Sequence, residues 1–233
     1  MCGRFAQHTP FPLLKKIFQI DLEKCDQQPN YNIAPSQEVL TVIHHKGTRQ
    51  LHKLNWGLVP SWIKDLSKAS KLINARVETL KEKPSFRNAF KKRRCLILAD
   101  GFYEWKKEGS SKQPFYLTLL SGDPIAFAGL WETWKKEEGQ RYNSCAIITT
   151  EASESVSEIH NRMPVILKPE AVNDWLNPQL QNTDTLDNIL RDGHVKELRS
   201  YPVSKTVNNV MTNDERCIEM LGMQRGSDPD NLM

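Results

Sequence analysis

The sequence predicts a single α+β domain, rich in strands, with short helices at its periphery. Three observations carry this expectation. Most apolar stretches are short and bounded by Gly, Pro, Asn or Asp, the length and punctuation of strands. Helical spacing of apolar residues occurs only in a few short windows. The 233 residues hold no Gly/Ser- or Pro-rich linker that would divide them, and 39% apolar against 26% charged residues is enough for one sizeable core.

Near the start, residues 11–20 have helical spacing, with Thr9 placed as the cap and proline accommodated in the first turn. Tyr31 to Pro35 reads as a loop. Residues 38–45 and 50–56 are β-rich and flank Lys46-Gly47, a hairpin signature. Gly57 and Pro60 argue against a continued strand in the aromatic stretch 56–62, which reads as a second loop. Residues 84–94 carry helical spacing through Phe86 and Phe90 and end in Lys91-Lys92-Arg93-Arg94, a run that is either a solvated helix end matched to the helix dipole or part of a basic face. Residues 95–99 form an apolar strand, Asp100-Gly101 a turn, and residues 102–107 a strand that hairpins through 108–112 onto 115–120. Two further strands cover 125–134 and 142–150. Short helices are expected at 153–160, 170–176 and 185–191, with strands near Val165 and over 198–203. The domain extends to residue 222, and the polar tail beyond it, 223–233, is expected to be frayed and dispensable.

No apolar run approaches the roughly 18 residues of a membrane span, and the N-terminus lacks the features of an export signal. A soluble, cytoplasmic protein with no membrane partner is expected. Cys2, Cys25, Cys95, Cys145 and Cys217 are odd in number and widely spread, with no C-x-x-C pair or histidine at metal-ligand spacing. That usage indicates a reducing compartment and no metal site. A net charge of +4 is too mild to establish nucleic-acid binding but permits it if the charges gather on one face.

The chain opens Met1-Cys2-Gly3-Arg4, and loss of Met1 would leave an α-amine and a thiol on the same residue. An α-amino group titrates at about 7.7–8.0, against about 10.4 for lysine, so a sizeable share of it is neutral at physiological pH. Only the neutral amine attacks an aldehyde. The adjacent thiol can then close on the imine carbon to give a five-membered thiazolidine, more durable than the imine. The implied substrate is a carbonyl compound; the alternative is that Cys2 is a small structural residue behind the initiator.

Three further polar residues lie within apolar or aromatic segments. Asn74 lies in Leu72-Ile73-Asn74-Ala75-Arg76-Val77-Glu78, Glu104 between Tyr103 and Trp105, and His160 in Ile159-His160-Asn161-Arg162-Met163-Pro164, at the end of an expected helix. Each has a structural alternative: a strand-end hydrogen bond for Asn74, an outward residue paired with Lys106 or Lys107 for Glu104, a capping imidazole for His160. Imine formation, however, needs a base, an acid and a group to hold the sugar, and Glu, His and Asn suit those tasks. Arg4, Arg76 and Arg162 stand beside these residues, and arginine forks grip phosphate oxygens. Strand alternation puts Asn74 and Arg76 on one face. Trp62 either stacks on a base or covers a core edge.

Taken in order, Met1 to Phe5, Tyr31 to Pro35, Trp56 to Trp62, Ile73 to Glu78, Asp100 to Trp105 and Ile159 to Pro164 resemble the motifs of the SRAP domain family (SOS response-associated peptidase, abasic-site processing). Lys112 to Phe115, Ala128 to Trp131 and Val203 to Lys205 extend the resemblance to about residue 210. It implies a strand-rich, barrel-like mixed sheet core and a basic groove for single-stranded DNA. It also implies a covalent mechanism in which Cys2 captures the ring-opened aldehyde of an abasic site as a thiazolidine crosslink that shields the lesion from strand cleavage. By the same matching, Asn74 would hold the opened deoxyribose, Glu104 manage protons, and His160 assist imine formation and reversal. Arg4, Arg76 and Arg162 would contact phosphates, with Trp62, Asn32, Pro35 and Thr149 shaping the DNA-binding site. No cofactor is implied, and a monomer is expected. Leu98 departs from the proline that many members carry before Ala-Asp-Gly, and the short tail fits a bacterial or phage-type member.

Two rivals remain open at this level. An N-terminal-nucleophile hydrolase, either an autoprocessing peptidase or a glutaminase-like enzyme, would use the thiol on an amide with the amine as base. A non-covalent single-strand binder would need no chemistry at all.

Overall fold

The computed structural model describes residues 2–23, 25, 28–69, 71–135 and 139–222; Met1 and the tail 223–233 lie outside them. In chain order the strands are β1 (Phe5–Gln7), β2 (Leu22–Glu23), β3 (Asn30–Ile33), β4 (Glu38–His45), β5 (Thr48–Trp56), β6 (Asn74–Arg76), β7 (Arg94–Ala99), β8 (Gly101–Glu108), β9 (Ser111–Thr118), β10 (Ile125–Lys135), β11 (Arg141–Glu151), β12 (Arg162–Pro164) and β13 (Arg199–Pro202). The α-helices are α1 (Phe11–Phe18), α2 (Pro84–Lys92), α3 (Glu154–Ser157), α4 (Pro169–Leu176) and α5 (Thr183–Asp192). The α+β class, with strands dominant and helices short, is as the sequence predicts.

Antiparallel pairing runs β5-β4-β7-β10-β11, and a parallel pairing of Ser144 with Asn55 and Cys145 with Trp56 joins β11 back to β5, closing a five-stranded barrel. A second, five-stranded sheet is ordered β13-β9-β8-β1-β3. Because side chains alternate along a strand, each barrel strand faces two cores. On β7, Leu96 and Leu98 join a cluster with Leu14, Phe86, Phe90, Trp175 and Leu190 from the helices. Its other residues, Cys95, Ile97 and Ala99, join Phe5, Ile33, Phe102 and Leu117 of the second sheet. Covered on both faces, β7 is buried at every position, and its unbroken apolar run follows. A third cluster, Ala6, Tyr103, Tyr116, Val203, Val207 and Cys217, seals the far side of the second sheet under the C-terminal segment.

Four local expectations are corrected. Thr9 does not cap α1: its backbone N–H (2.9 Å) and its hydroxyl both donate to the Asp100 carboxylate, and α1 starts from Pro10 without a side-chain cap. The stretch from Tyr31 is strand β3, paired with β1, because Arg4 and three carbonyls satisfy the buried Asn32 amide and make a polar sequence acceptable inside. The expected helix over 153–160 stops at Ser157, since Ala152 N–H bonds the Asn161 carbonyl at 3.1 Å and turns the chain back; His160 sits on that turn.

The fourth is Gly101, which is not in a turn but opens β8, opposite Ala6. A Cβ there would lie 2.4 Å from Tyr116 Cζ and 2.6 Å from the Leu117 carbonyl oxygen. Gly101→Ala is therefore expected to destabilise the fold by about 3 kcal/mol, the upper range for overpacking. Denaturant melting that finds a loss below about 1 kcal/mol would refute this.

Candidate active site

The second sheet delivers Cys2. Phe5 pairs with Phe102, and Tyr103 N–H donates to the Arg4 carbonyl at 2.9 Å, so the first residues run antiparallel alongside β8 and reach the neighbourhood of Glu104. The barrel delivers the other components. β6 pairs in parallel with β11, Asn74 opposite Ile147, while β12 pairs with the far end of the same strand, Arg162 opposite Glu151. One long strand thus sets both the asparagine and the segment that carries the histidine. Trp56 fixes the junction: its indole N–H donates to the Ile73 carbonyl at 2.9 Å and its ring packs edge-on against Phe5 at 5.1 Å.

Asn74 Nδ2 donates to the Cys2 carbonyl at 2.8 Å, while its buried Oδ1 has no hydrogen-bond partner among the described residues. Glu104 is only 3% exposed, and Lys106, its expected alternative partner, instead pairs with Glu158 at 3.5 Å. The Glu104 carboxylate stands 3.9 Å from His160 Nε2. His160 Nδ1 lies 2.9 Å from the Arg162 backbone N–H and 3.1 Å from the Arg162 carbonyl oxygen, which ties the ring to the start of β12 and leaves Nε2 on the Glu104 side. Burial raises the Glu104 carboxyl, with the nearby His160 pulling it back. Burial pushes the Cys2 thiol far above its ordinary value, and the Glu104 charge adds to that effect. The Cys2 thiol is accordingly protonated at rest.

Cys2, Asn74, Glu104, His160 and Arg162 are thus brought together, and an open cleft of about 740 Å³ lined by Arg76, Glu151, Ser157, His160, Asn161 and Arg162 adjoins them on the histidine side. Arg76 and Pro35 are exposed, as is Trp62 at 62%, on a loop held by Trp134 Nε1 donating to the Ile63 carbonyl at 2.6 Å. Two residues expected to shape the DNA-binding site, Asn32 and Thr149, lie below the surface. Asn32 is 1% exposed with its amide spent on Arg4 and the carbonyls of Val207, Asn209 and Thr212, so it is a framework residue. Thr149 is fully buried, and its carbonyl accepts from Arg162 Nη2 at 2.7 Å. Arg4 Nη1 donates to Asn32 (2.6 Å) and to the Val207 carbonyl (2.7 Å), which ties the start of the chain to β3 and the C-terminal segment. Glu78 was not singled out as a site residue from the sequence, yet it forms a two-bond fork with Arg162 at 2.5 and 3.1 Å; an acid two residues beyond Arg76 was the available signal.

No group of three or more His, Cys, Asp or Glu residues is placed to hold a metal among the described residues. No described helix is long and apolar enough to cross a membrane.

A closed barrel flanked by a second sheet, with Cys2 held by Asn74 beside Glu104 and His160, defines a cysteine-containing site between the two sheets. The chain belongs to the SOS response associated peptidase (SRAP) family, whose model matches residues 1–210. It is 44% identical over 222 residues to the abasic site processing protein YoqW of Bacillus subtilis, covering 94% of this chain and 99% of that protein. It is 33% identical to the abasic site processing protein YedK of Escherichia coli, covering 94% of this chain and 99% of that one. It is also 33% identical to the abasic site processing protein HMCES of Xenopus tropicalis, there covering 87% of this chain and 69% of the longer relative. Among solved structures, a phage-related protein of Bordetella bronchiseptica superposes with a TM-score of 0.72 at 30% identity, covering 88% of this chain and 95% of that one.

Proposed function

We propose that this protein processes abasic sites in single-stranded DNA, in the cytoplasm and as a monomer, by forming a covalent thiazolidine through Cys2 once Met1 is removed. The observation that carries the reading is the Asn74 Nδ2 bond to the Cys2 carbonyl, which holds the start of the chain beside the Glu104–His160 pair. The names of the relatives support the substrate.

The protonated resting thiol favours an amine-first order of steps. The α-amine adds to the aldehyde carbon of the ring-opened sugar; a proton passes from nitrogen to oxygen, and water leaves to give the imine. The thiol then adds to the imine carbon, its proton going to nitrogen, so the whole sequence releases one water. Glu104, its carboxyl raised by burial, can take and return these protons. The His160 ring, its Nε2 3.9 Å from the Glu104 carboxylate, can serve the departing oxygen. Asn74 Oδ1, buried and without a partner among the described residues, can accept from a sugar hydroxyl. The exposed Arg76 and Trp62 suit a phosphate and a base.

Intact mass measurement after incubation with uracil-containing DNA treated with a glycosylase tests this. The expected species is protein lacking Met1 plus DNA, less one water. Equal, fully salt-reversible binding of intact and abasic DNA would instead identify a non-covalent binder. Asn74→Asp replaces the donor to the Cys2 carbonyl with a repelling oxygen and is expected to slow adduct formation by about a hundredfold, the scale for small misplacement of a reacting group. A single-turnover rate within about threefold of wild type would remove Asn74 from the site.

A further inference from the structure

Trp62 carries its exposed indole on a loop whose alternate residues are tied to the barrel. Val59 N–H donates to Ser144 Oγ on β11 at 2.9 Å, and Ser61 Oγ donates to Glu132 Oε2 on β10 at 3.4 Å. The Ile63 carbonyl accepts from Trp134 Nε1, also on β10, at 2.6 Å. Glu132 and Ser144 stand directly opposite each other across β10 and β11, and Glu132 and Trp134, two residues apart, share one face of β10. Leu58 and Leu72 exchange backbone bonds at 3.0 and 3.1 Å, which roots the loop two residues before Asn74. Trp62 is thus flanked on both sides by tethered residues while its own ring stands in solvent.

Within this frame Glu132 is the residue that stability explains least. Its carboxylate is only 7% exposed. Arg93 Nη2 bonds one oxygen at 2.5 Å, where Ser61 also donates, and Thr133 N–H bonds the other at 3.0 Å. A buried ion pair is often no better for stability than apolar groups of the same volume, so the pair is weak evidence of a folding role. Its consequence is geometric. Arg93 follows α2 directly, and its carbonyl accepts from Trp131 N–H at 2.9 Å, so α2 and β10 together set where the carboxylate meets the loop.

Resting on the assignment of Trp62 to a DNA base made above, we propose that Glu132, held by Arg93, is a positioning residue that fixes the Trp62 loop for stacking. A ring on a loose loop gives up backbone freedom when a base stacks on it. A ring on a tethered loop has given up most of that freedom on folding, so more of the stacking free energy appears as affinity. Among the described residues Glu132 is bonded to the loop, to Arg93 and to its own strand, and not to Cys2, Asn74, Glu104 or His160. Its effect therefore falls on DNA affinity and leaves the bond-forming steps alone.

The test compares wild type with Glu132→Ala, Glu132→Gln, Ser61→Ala, Ser61→Thr and Trp62→Ala in the full chain. NMR relaxation of the Trp62 backbone amide in the DNA-free protein is expected to give an order parameter of about 0.85 in wild type and below about 0.6 in Glu132→Ala. Affinity for an intact single strand is expected to fall about tenfold in Trp62→Ala and in Glu132→Ala alike, within the range for one stacked base. The single-turnover rate of Glu132→Ala at saturating abasic DNA is expected to stay within about twofold of wild type. Added to Trp62→Ala, Glu132→Ala is expected to cause no further loss. Glu132→Gln keeps the shape and an acceptor for Ser61 and is expected to recover most of the affinity. Ser61 is exposed, so its substitution leaves the core intact; Ser61→Ala is expected to weaken binding about threefold, the low end for one hydrogen bond, with Ser61→Thr near wild type. A rigid Trp62 amide or wild-type affinity in Glu132→Ala, additive losses in the double variant, or a fall in the saturated rate would each overturn the proposal. Should Glu132→Ala fail to fold, the Ser61 pair decides in its place. Unchanged affinity in Trp62→Ala would strike the assignment of Trp62 to a base, whereas the relaxation measurement needs no DNA and judges Glu132 on its own.

Discussion

Cys2→Ala is expected to lower the yield of denaturation-resistant adduct by about a thousandfold or more, the scale on which loss of a reacting group acts. The reason is chemical. Alanine retains the α-amine after Met1 removal, so an imine still forms, but nothing closes on its carbon. An open imine either hydrolyses or permits β-elimination of the strand. Cys2→Ser should behave alike, because a hydroxyl is a far weaker trap than a thiol. Both variants are therefore expected to give a borohydride-trappable adduct and more strand cleavage than wild type, readable on one denaturing gel. Equal stable adduct from Cys2→Ala would dismiss the aminothiol mechanism outright. Hydrolysis of an amide that depends on Cys2, with no DNA adduct, would favour the hydrolase alternative.

Glu104→Gln separates catalysis from stability. Loss of a positioned acid–base group is expected to slow adduct formation by about 10²- to 10⁴-fold. The fold should respond in the opposite sense. Burial raises the Glu104 carboxyl, so between the ordinary carboxylate value of about 4.3 and the raised folded value the native state holds a proton that the unfolded chain has released. Stability contributed by this group is present below that window, falls as pH rises through it, and stays low above it. Glutamine carries no charge to bury. The melting temperature of Glu104→Gln relative to wild type should therefore climb across the window and level off beyond it, a site that trades stability for activity. Calorimetry that finds a pH-independent difference from mildly acid to mildly basic conditions would contradict this.

Much of the architecture was readable because it depends on neighbours in sequence. The β4–β5 hairpin about Lys46-Gly47, the helices α2, α4 and α5, and the long strands β10 and β11 all follow from local period and turn chemistry. Strands β1 and β3 were not readable. They are short, and β3 carries two asparagines, one of which is buried only because a distant arginine and the chain near Val207 satisfy it. Gly101 and His160 show the same limit: a tyrosine from β9 decides the first, and a backbone contact between residues 152 and 161 decides the second.

The sequence by itself determined the chemistry on offer: an aminothiol behind Met1, with Asn, Glu and His set in apolar surroundings where such groups are costly unless used. Only the tertiary structure decided their arrangement. Barrel closure through β11 and β5, with β6 and β12 paired to that same strand, brings Asn74 and the His160 turn to one end, and the second sheet lays Cys2 beside Glu104. Residue types follow from local composition, but which arginine is spent on a carboxylate depends on a partner far away in sequence. Such partners meet only when the sheets form, so the Glu78–Arg162 fork and the bond from Arg4 to the buried Asn32 become visible in three dimensions alone.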